Sequence, residues 1–330
     1  MTISRRGALA GLAAAPFLRT AASPQSAYAQ SGTFPNRPLT LIVPFPAGGP
    51  ADIFGRYLAQ GMSAELHQSV VVENKSGAAG VTGMDAVAKA TDAHTIGIQS
   101  ASAGAIMQSL MDKMPYRPGI DLAPVILVVR IQEVLVVNAK FGVSTFAELL
   151  TKLKANPGKY SYGSAGTGGI THLATELFKI ETGTDMLHVP YRGAAPATND
   201  LIADTVQVAL LDIPVLLPHI RSGAVKALAV SSDTRAPLLP DVPTMRELGY
   251  PKVNSDNWYA LAAPGTALRR DRERLHEAAA TALKSQALID AFAAVGGIVG
   301  GGSSEELARF QREEVAKWAG VIQAANVKLE

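Results

Sequence analysis

The chain has 330 residues, 48% of them apolar and 18% charged, with 30 basic against 28 acidic side chains and no cysteine. That composition can bury a large core, and it excludes a disordered chain, a disulfide scaffold and a thiolate metal site. Leaving out the first 29 residues removes three arginines and no acid, giving 27 basic to 28 acidic, so charge gives no support for a nucleic-acid or anionic-membrane surface.

Arg5 and Arg6 precede an apolar stretch from Gly7 to Leu18, and Ala27-Tyr28-Ala29 fits a small-x-small cleavage rule. The pattern predicts a signal peptide over residues 1–29, too short for a membrane span and suited to either the twin-arginine or the ordinary secretory route. Next, "LTLIVPF" reads as a strand, "PAGGPAD" as a turn, and Ile53, Tyr57, Leu58 and Met62 as a helical stripe. "SVVVE", "HTIGIQS" and "APVILVV" are further strands, with a helix near Met84–Ala90. After "VLVVN" the rhythm restarts: Ser144 or Thr145 caps a helix to Lys154, "KYSYGS" is a strand, and a helix runs through Leu173, Leu177 and Ile180.

Strands "MLHVP", "VQVALL" and "AVKALAV" follow, with a helix over Ala197–Ala203 between the first two. Long helices are expected over Leu268–Lys284 and Glu305–Ala325, the second opened by a capping box at Ser303–Glu306, with Trp318 on its apolar stripe. "GGIVGGG" between them reads as a flexible loop, and no internal repeat is visible. Alternating strands and helices place the chain in the α/β class. The ends either form a second consecutive domain or return to complete the first; periodicity leaves both open.

Two glycine-rich turns each stand between a strand and a helix, Pro44–Asp52 and Gly163–Gly169. Such turns bring backbone N–H groups and a partly positive helix end close to a carboxylate or phosphate. Neither is a nucleotide fingerprint, since no Lys-Ser or Lys-Thr follows and "GTGGIT" does not complete G-x-G-x-x-G. Asp52 reads either as a first-turn acid on helix N–H groups or as an acceptor for a ligand. "YGSAG" resembles a nucleophile elbow with Tyr162 in place of the first glycine, and Asp212 and His219 follow in hydrolase order. An exported α/β serine hydrolase using Ser164 is therefore the alternative, weakened by the absence of an HGGG-type motif. No two histidines have metal-ligand spacing.

The stretches "NRPLTLIVPFPAGGPAD", "VVENKSGAAG", "DLAPVILV", "YGSAGTGGITHLATELF", "HVPYRGAAPATNDLIA" and "LPHIRSGAVKALAVSS" with "PLLPDVPTMRELGYP" occur in order. Together they resemble the tripartite tricarboxylate transporter substrate-binding receptors, also called Bug-type proteins, from about Pro35 to the C-terminus. The resemblance implies a two-lobed, type II-like periplasmic binding protein, each lobe a mostly parallel sheet flanked by helices. Lobe 1 would comprise residues 30–133 plus 256–330 and lobe 2 residues 134–255, with crossings near Val129–Asn138 and Asn254–Pro264. It implies a monomer without cofactor or chemical step that holds a small carboxylate between the lobes and docks on membrane transporter subunits.

The positions that match the family's ligand site are Phe45, Pro46, Ala47, Gly48, Gly49 and Asp52 in the first loop. In the second they are Ser164, Gly166, Thr167, Gly168, Gly169, Ile170 and His172, joined by Tyr191 and Asp212. Ala51, Gly169, Ile170 and Ile213 stand where the family usually carries hydroxyls or an amide. A ligand with an apolar or aromatic body is therefore expected, rather than citrate or an acidic amino acid.

Overall fold

The computed structural model describes residues 34–329; the signal peptide expected over residues 1–29 lies outside them. The chain opens with β1 (Leu39–Val43), α1 (Pro50–Leu66), β2 (Val70–Asn74), α2 (Val81–Ala88) and β3 (Thr95–Ser100). A short α3 (Met107–Leu110) leads into β4 (Leu122–Asn138). Then come α4 (Phe146–Lys154), β5 (Ser161–Ser164), α5 (Ile170–Thr182), β6 (Leu187–Pro190), α6 (Ala194–Ile202), β7 (Val208–Asp212), α7 (Ile213–Arg221) and β8 (Val225–Val230). β9 (Asp256–Pro264), α8 (Arg269–Lys284), α9 (Gln286–Ala294), β10 (Gly297–Gly301) and α10 (Ser304–Ala325) complete it.

The strands form one path, β2-β1-β3-β9-β4-β7-β5-β6, with β10 and β8 both pairing β4. β1 is parallel to β2 and β3, and β5 is parallel to β6 and β7. Parallel neighbours need a crossover, and α1, α2, α5 and α6 supply it. Every antiparallel ladder of the described residues involves β4 or β9. The parallel pattern expected for each half thus holds in two three-strand blocks, and the strands joining them make the whole sheet mixed.

β4 is the element that joins the blocks. Its first part pairs β9 from Leu122 to Gln132, and Glu133–Val137 pairs β7. The run "APVILVV", expected as a strand, continues through "VLVVN", the expected point of restart of the rhythm, as one 17-residue strand. It is apolar almost throughout because it is covered on both faces. The register against β9 shifts between Pro124 and Ile126, a bulge where a proline without an N–H is tolerated.

The stretch "GGIVGGG" is a second correction. It is not a loop: Gly297–Gly301 forms β10, antiparallel to β4. Its glycines serve close approach, since a Cβ on Gly300 would overlap the Leu127 carbonyl and one on Gly297 the Phe54 ring. Several separate cores flank the sheet. Leu41, Phe54, Leu58, Ile98, Leu261, Leu275 and Phe292 pack on the first block. Leu135, Phe146, Tyr162, Phe178, Leu210 and Met245 pack on the second. A further cluster, with Ile170 and Leu173 of α5 and Trp258, Leu307 and Trp318, carries α10 across to the second block.

Candidate functional site

The two glycine turns are built alike despite unlike sequences. Gly48 and Gly168, 120 positions apart, both have left-handed φ, +82° and +71°. The next residues, Gly49 and Gly169, are helix N-caps with φ/ψ of −81°/170° and −79°/167°. In each turn the left-handed glycine donates its N–H to a side chain four residues on: Gly48 to Asp52 Oδ2 and Gly168 to His172 Nδ1, both at 3.0 Å. A repeat invisible in residue letters is therefore present in the backbone, where glycine conformation and one acceptor define it.

Asp52 holds its turn and does not face a cavity. It accepts from Gly48 N–H, from Asn74 Nδ2 at 2.9 Å and from Arg56 through two nitrogens at 3.0 and 2.9 Å. Burial pushes its carboxyl up, but the bonds from Arg56, Gly48 and Asn74 outweigh burial and hold it below the usual carboxylate range. Of its two readings, the structural one matches this geometry.

Around the turns lies a cavity of about 40 Å3, room for the centres of roughly three waters. Gly49, Pro50 and Ala51 of the α1 start line it, as do Gly169, Ile170 and Thr171 of α5 and Gly193, Ala194 and Ala195 of α6. All three helices begin at a glycine, which supplies no side-chain cap, and their first turns meet at one small space. Pro50 and Pro196 carry no N–H there, and those of Asp52, Ile53, His172 and Leu173 bond back to the N-cap carbonyls. Each helix end carries about half a positive charge. Phe45, Pro46, Ala47, Ala79, Ala165 and Pro196 make most of the remaining wall apolar, and no Lys, Arg or His side chain lines it. Ile170 N–H donates across the cavity's edge to Ser102 Oγ at 3.0 Å.

The cavity floor is polar. Asp212, at the end of β7, and Asn257 and Tyr259, on one face of β9, reach it. Asn257 Oδ1 accepts the Trp258 N–H at 2.8 Å, which fixes the amide so that Nδ2 donates to both Asp212 oxygens, at 3.1 and 3.0 Å. Burial pushes the Asp212 carboxyl up to about 7, against the lowering effect of Asn257.

Of the matched positions, Phe45, Pro46, Ala47, Gly49, Gly169, Ile170 and Asp212 line this cavity. Gly166, Thr167 and Tyr191 line an adjoining outer mouth with Arg192 and Leu329. Gly48, Asp52, Ser164, Gly168 and His172 line neither; they brace the turns. Ile213, expected to shape selectivity, is turned away into a core with Leu216 and Val230, beneath Gly296. Ser100, Ser102, Thr171, Ala194, Asn257 and Tyr259 were not anticipated. Only Asn257 and Tyr259 had a usable signal, two polar groups alternating in an otherwise apolar strand.

Ser164 is fully buried, and its Oγ lies 2.7 Å from His188 Nε2, not near His219, which sits in the last turn of α7. The His188 ring stacks on His172 at 3.8 Å, and burial, the largest influence on each, pushes both down to about 4. Asp212 bonds Asn257 and not a histidine. The grouping needed for a serine nucleophile is absent among the described residues.

The family model described as "Tripartite tricarboxylate transporter family receptor" matches residues 54–327. "Protein BugT" of Bordetella pertussis is 39% identical over 334 residues, covering 100% of both chains. A solved structure of the periplasmic binding protein BugD is 33% identical with a TM-score of 0.85, over 90% of this chain and 100% of its own. The Rpa4515 protein of R. palustris, solved with adipate, is 32% identical with a TM-score of 0.86, over 89% and 99% of the two chains.

Proposed function

The chain belongs to the tripartite tricarboxylate transporter receptor family, whose members are binding receptors and not enzymes, and from that premise we propose that it captures a small organic carboxylate with an apolar or aromatic body. The observation that carries the reading is the convergence of three uncapped, glycine-started helices on one cavity that no cationic side chain lines. A carboxylate there would take its hydrogen bonds from backbone N–H groups and its charge balance from helix ends. The apolar wall from Phe45 to Ala51, together with Ile170, Ala194 and Pro196, would surround the body of the molecule.

In this reading, residues 30–133 plus 256–330 and residues 134–255 act as two lobes, with β4 and β9 as the crossing strands and the cavity between them. Closure on the ligand would create the surface presented to membrane subunits. The N-terminal 29 residues would direct export, so that a monomer works in the periplasm. No helix among the described residues is long and apolar enough to cross a membrane.

A thermal-shift screen tests the proposal. Adipate, benzoate and longer aliphatic carboxylates are expected to raise the melting temperature, and citrate and glutamate are not. A ligand at 100 times its Kd stabilises by about 2.7 kcal/mol, an easily read shift. Stabilisation by citrate or glutamate alone, or by no carboxylate at all, would refute it.

A further inference from the structure

An acid on the floor of an anion cavity needs an explanation, because an ionised Asp212 would repel the ligand that the helix ends attract. The strand register supplies one. Glu133 of β4 and Asp212 of β7 are direct partners across their antiparallel ladder, so both side chains leave the same face. Asp212 is 2% exposed and Glu133 fully buried. Glu133 Oε2 accepts from Ser255 Oγ, while Oε1 has no partner.

The groups facing this pair from neighbouring elements are acidic or neutral. From β9 come Asn257 and the phenol of Tyr259, and Asp256 adds negative charge on Glu133. Ser231 follows β8 and bonds Ser255. The first turns of α1 and α6 bring only Ala51, Ala194 and Ala195. Lys317 of α10 acts on Glu133 from a distance, and no cationic side chain makes an ion pair or hydrogen bond with either acid among the described residues. Two buried, facing carboxyl groups without a cation do not both ionise.

Resting on the carboxylate reading, we infer that Asp212 meets the ligand as a carboxylic acid, its proton retained because Glu133 faces it. Asp212 then selects a ligand whose inner end accepts a hydrogen bond, a second carboxylate or a carbonyl, over one that ends in ammonium. Burial raises both groups, and the facing Asp212 raises Glu133 further, which agrees with two acids that do not both ionise. The consequence is a proton held in the cleft with the anion, and affinity that falls as pH rises through neutrality.

Adipate and 6-aminohexanoate are a six-carbon pair, the second carrying an aminomethyl group where the first has its second carboxylate. Calorimetry on the mature protein should find adipate at least about tenfold tighter at pH 6, weakening by up to about tenfold per pH unit above neutrality as one linked proton is lost. Asp212→Asn, checked for folding by its melting curve, should bind adipate with no such slope. Glu133→Gln lets Asp212 ionise, so the preference for adipate should shrink or reverse. Infrared titration of the ligand-free protein reads the acid directly: a protonated-carboxyl component should fade as pH rises through neutrality, and Asp212→Asn should lose that component while any band from Glu133 stays. Equal or tighter binding of 6-aminohexanoate, an unchanged slope in Asp212→Asn, or no such band would overturn the inference. If neither probe binds, carboxylate capture fails by itself, and the infrared band alone decides whether Asp212 holds a proton.

Discussion

Four residues after its left-handed glycine, each turn places a hydrogen-bond acceptor, and the two acceptors have opposite acid-base character. Asp52 is held charged by Arg56, whereas His172 must stay neutral to accept the Gly168 N–H through Nδ1. His188 stacks on it and bonds Ser164, and both rings are pushed down to about 4 by burial. The unfolded chain takes up these protons from about pH 6.5 downward and the folded one only near 4. Their contribution to stability is therefore full above 6.5 and is lost progressively between 6.5 and 4. The raised acids Glu133 and Asp212 act with the opposite sign, so the difference between two proteins is the clean readout. Melting temperature should fall less between pH 7 and 4.5 in His188→Gln than in the parent; parallel curves would count against this.

At the same scale, the turn glycines were legible because only backbone freedom explains four of them between a strand and a helix. Ser102 was not, because residues far apart in the chain become neighbours only when the sheet forms; Asn257 and Tyr259 left no more than their alternation in an apolar strand.

Elements with local signals were readable. Thr145 and Ser303 close capping boxes on α4 and α10 as their sequences suggest. β10 was not readable, because glycine lowers strand propensity and nothing local reveals that a partner backbone needs the space. Its role gives a prediction: Gly300→Ala would drive a methyl into the Leu127 carbonyl and should cost about 1–3 kcal/mol, typical of overpacking. Chemical denaturation measures it, and a loss below about 0.5 kcal/mol would mean that β10 lies looser on β4 than described. The continuity of β4 was hidden for a related reason. Arg130, Gln132 and Glu133 interrupt its apolar run, and each of them answers to a distant partner: Phe310, Ser232 and Ser255 respectively.

Across the whole molecule, each antiparallel ladder of the described residues uses β4, β9 or both, and α10 ties the first block to the second. Trp258 of β9 and Trp318 of α10 both donate their indole N–H to Glu314 Oε2, at 3.0 and 3.1 Å. The α/β class and family were legible because the motifs recur in order along nearly the whole chain. The direction of the joining strands was not, since a buried apolar run reads the same in either sense. The cation-free cavity wall has one more consequence, for ionic strength. Surface ion pairs weaken as salt shortens the screening length from about 30 Å at 0.01 M to about 3 Å at 1 M. Helix ends enclosed around a small cavity are sheltered from that screening, so affinity for the tightest carboxylate should change less than about threefold over this range. Steeper weakening would point to an arginine or lysine in the grip. A receptor built this way holds its cargo as firmly in brine as in dilute medium.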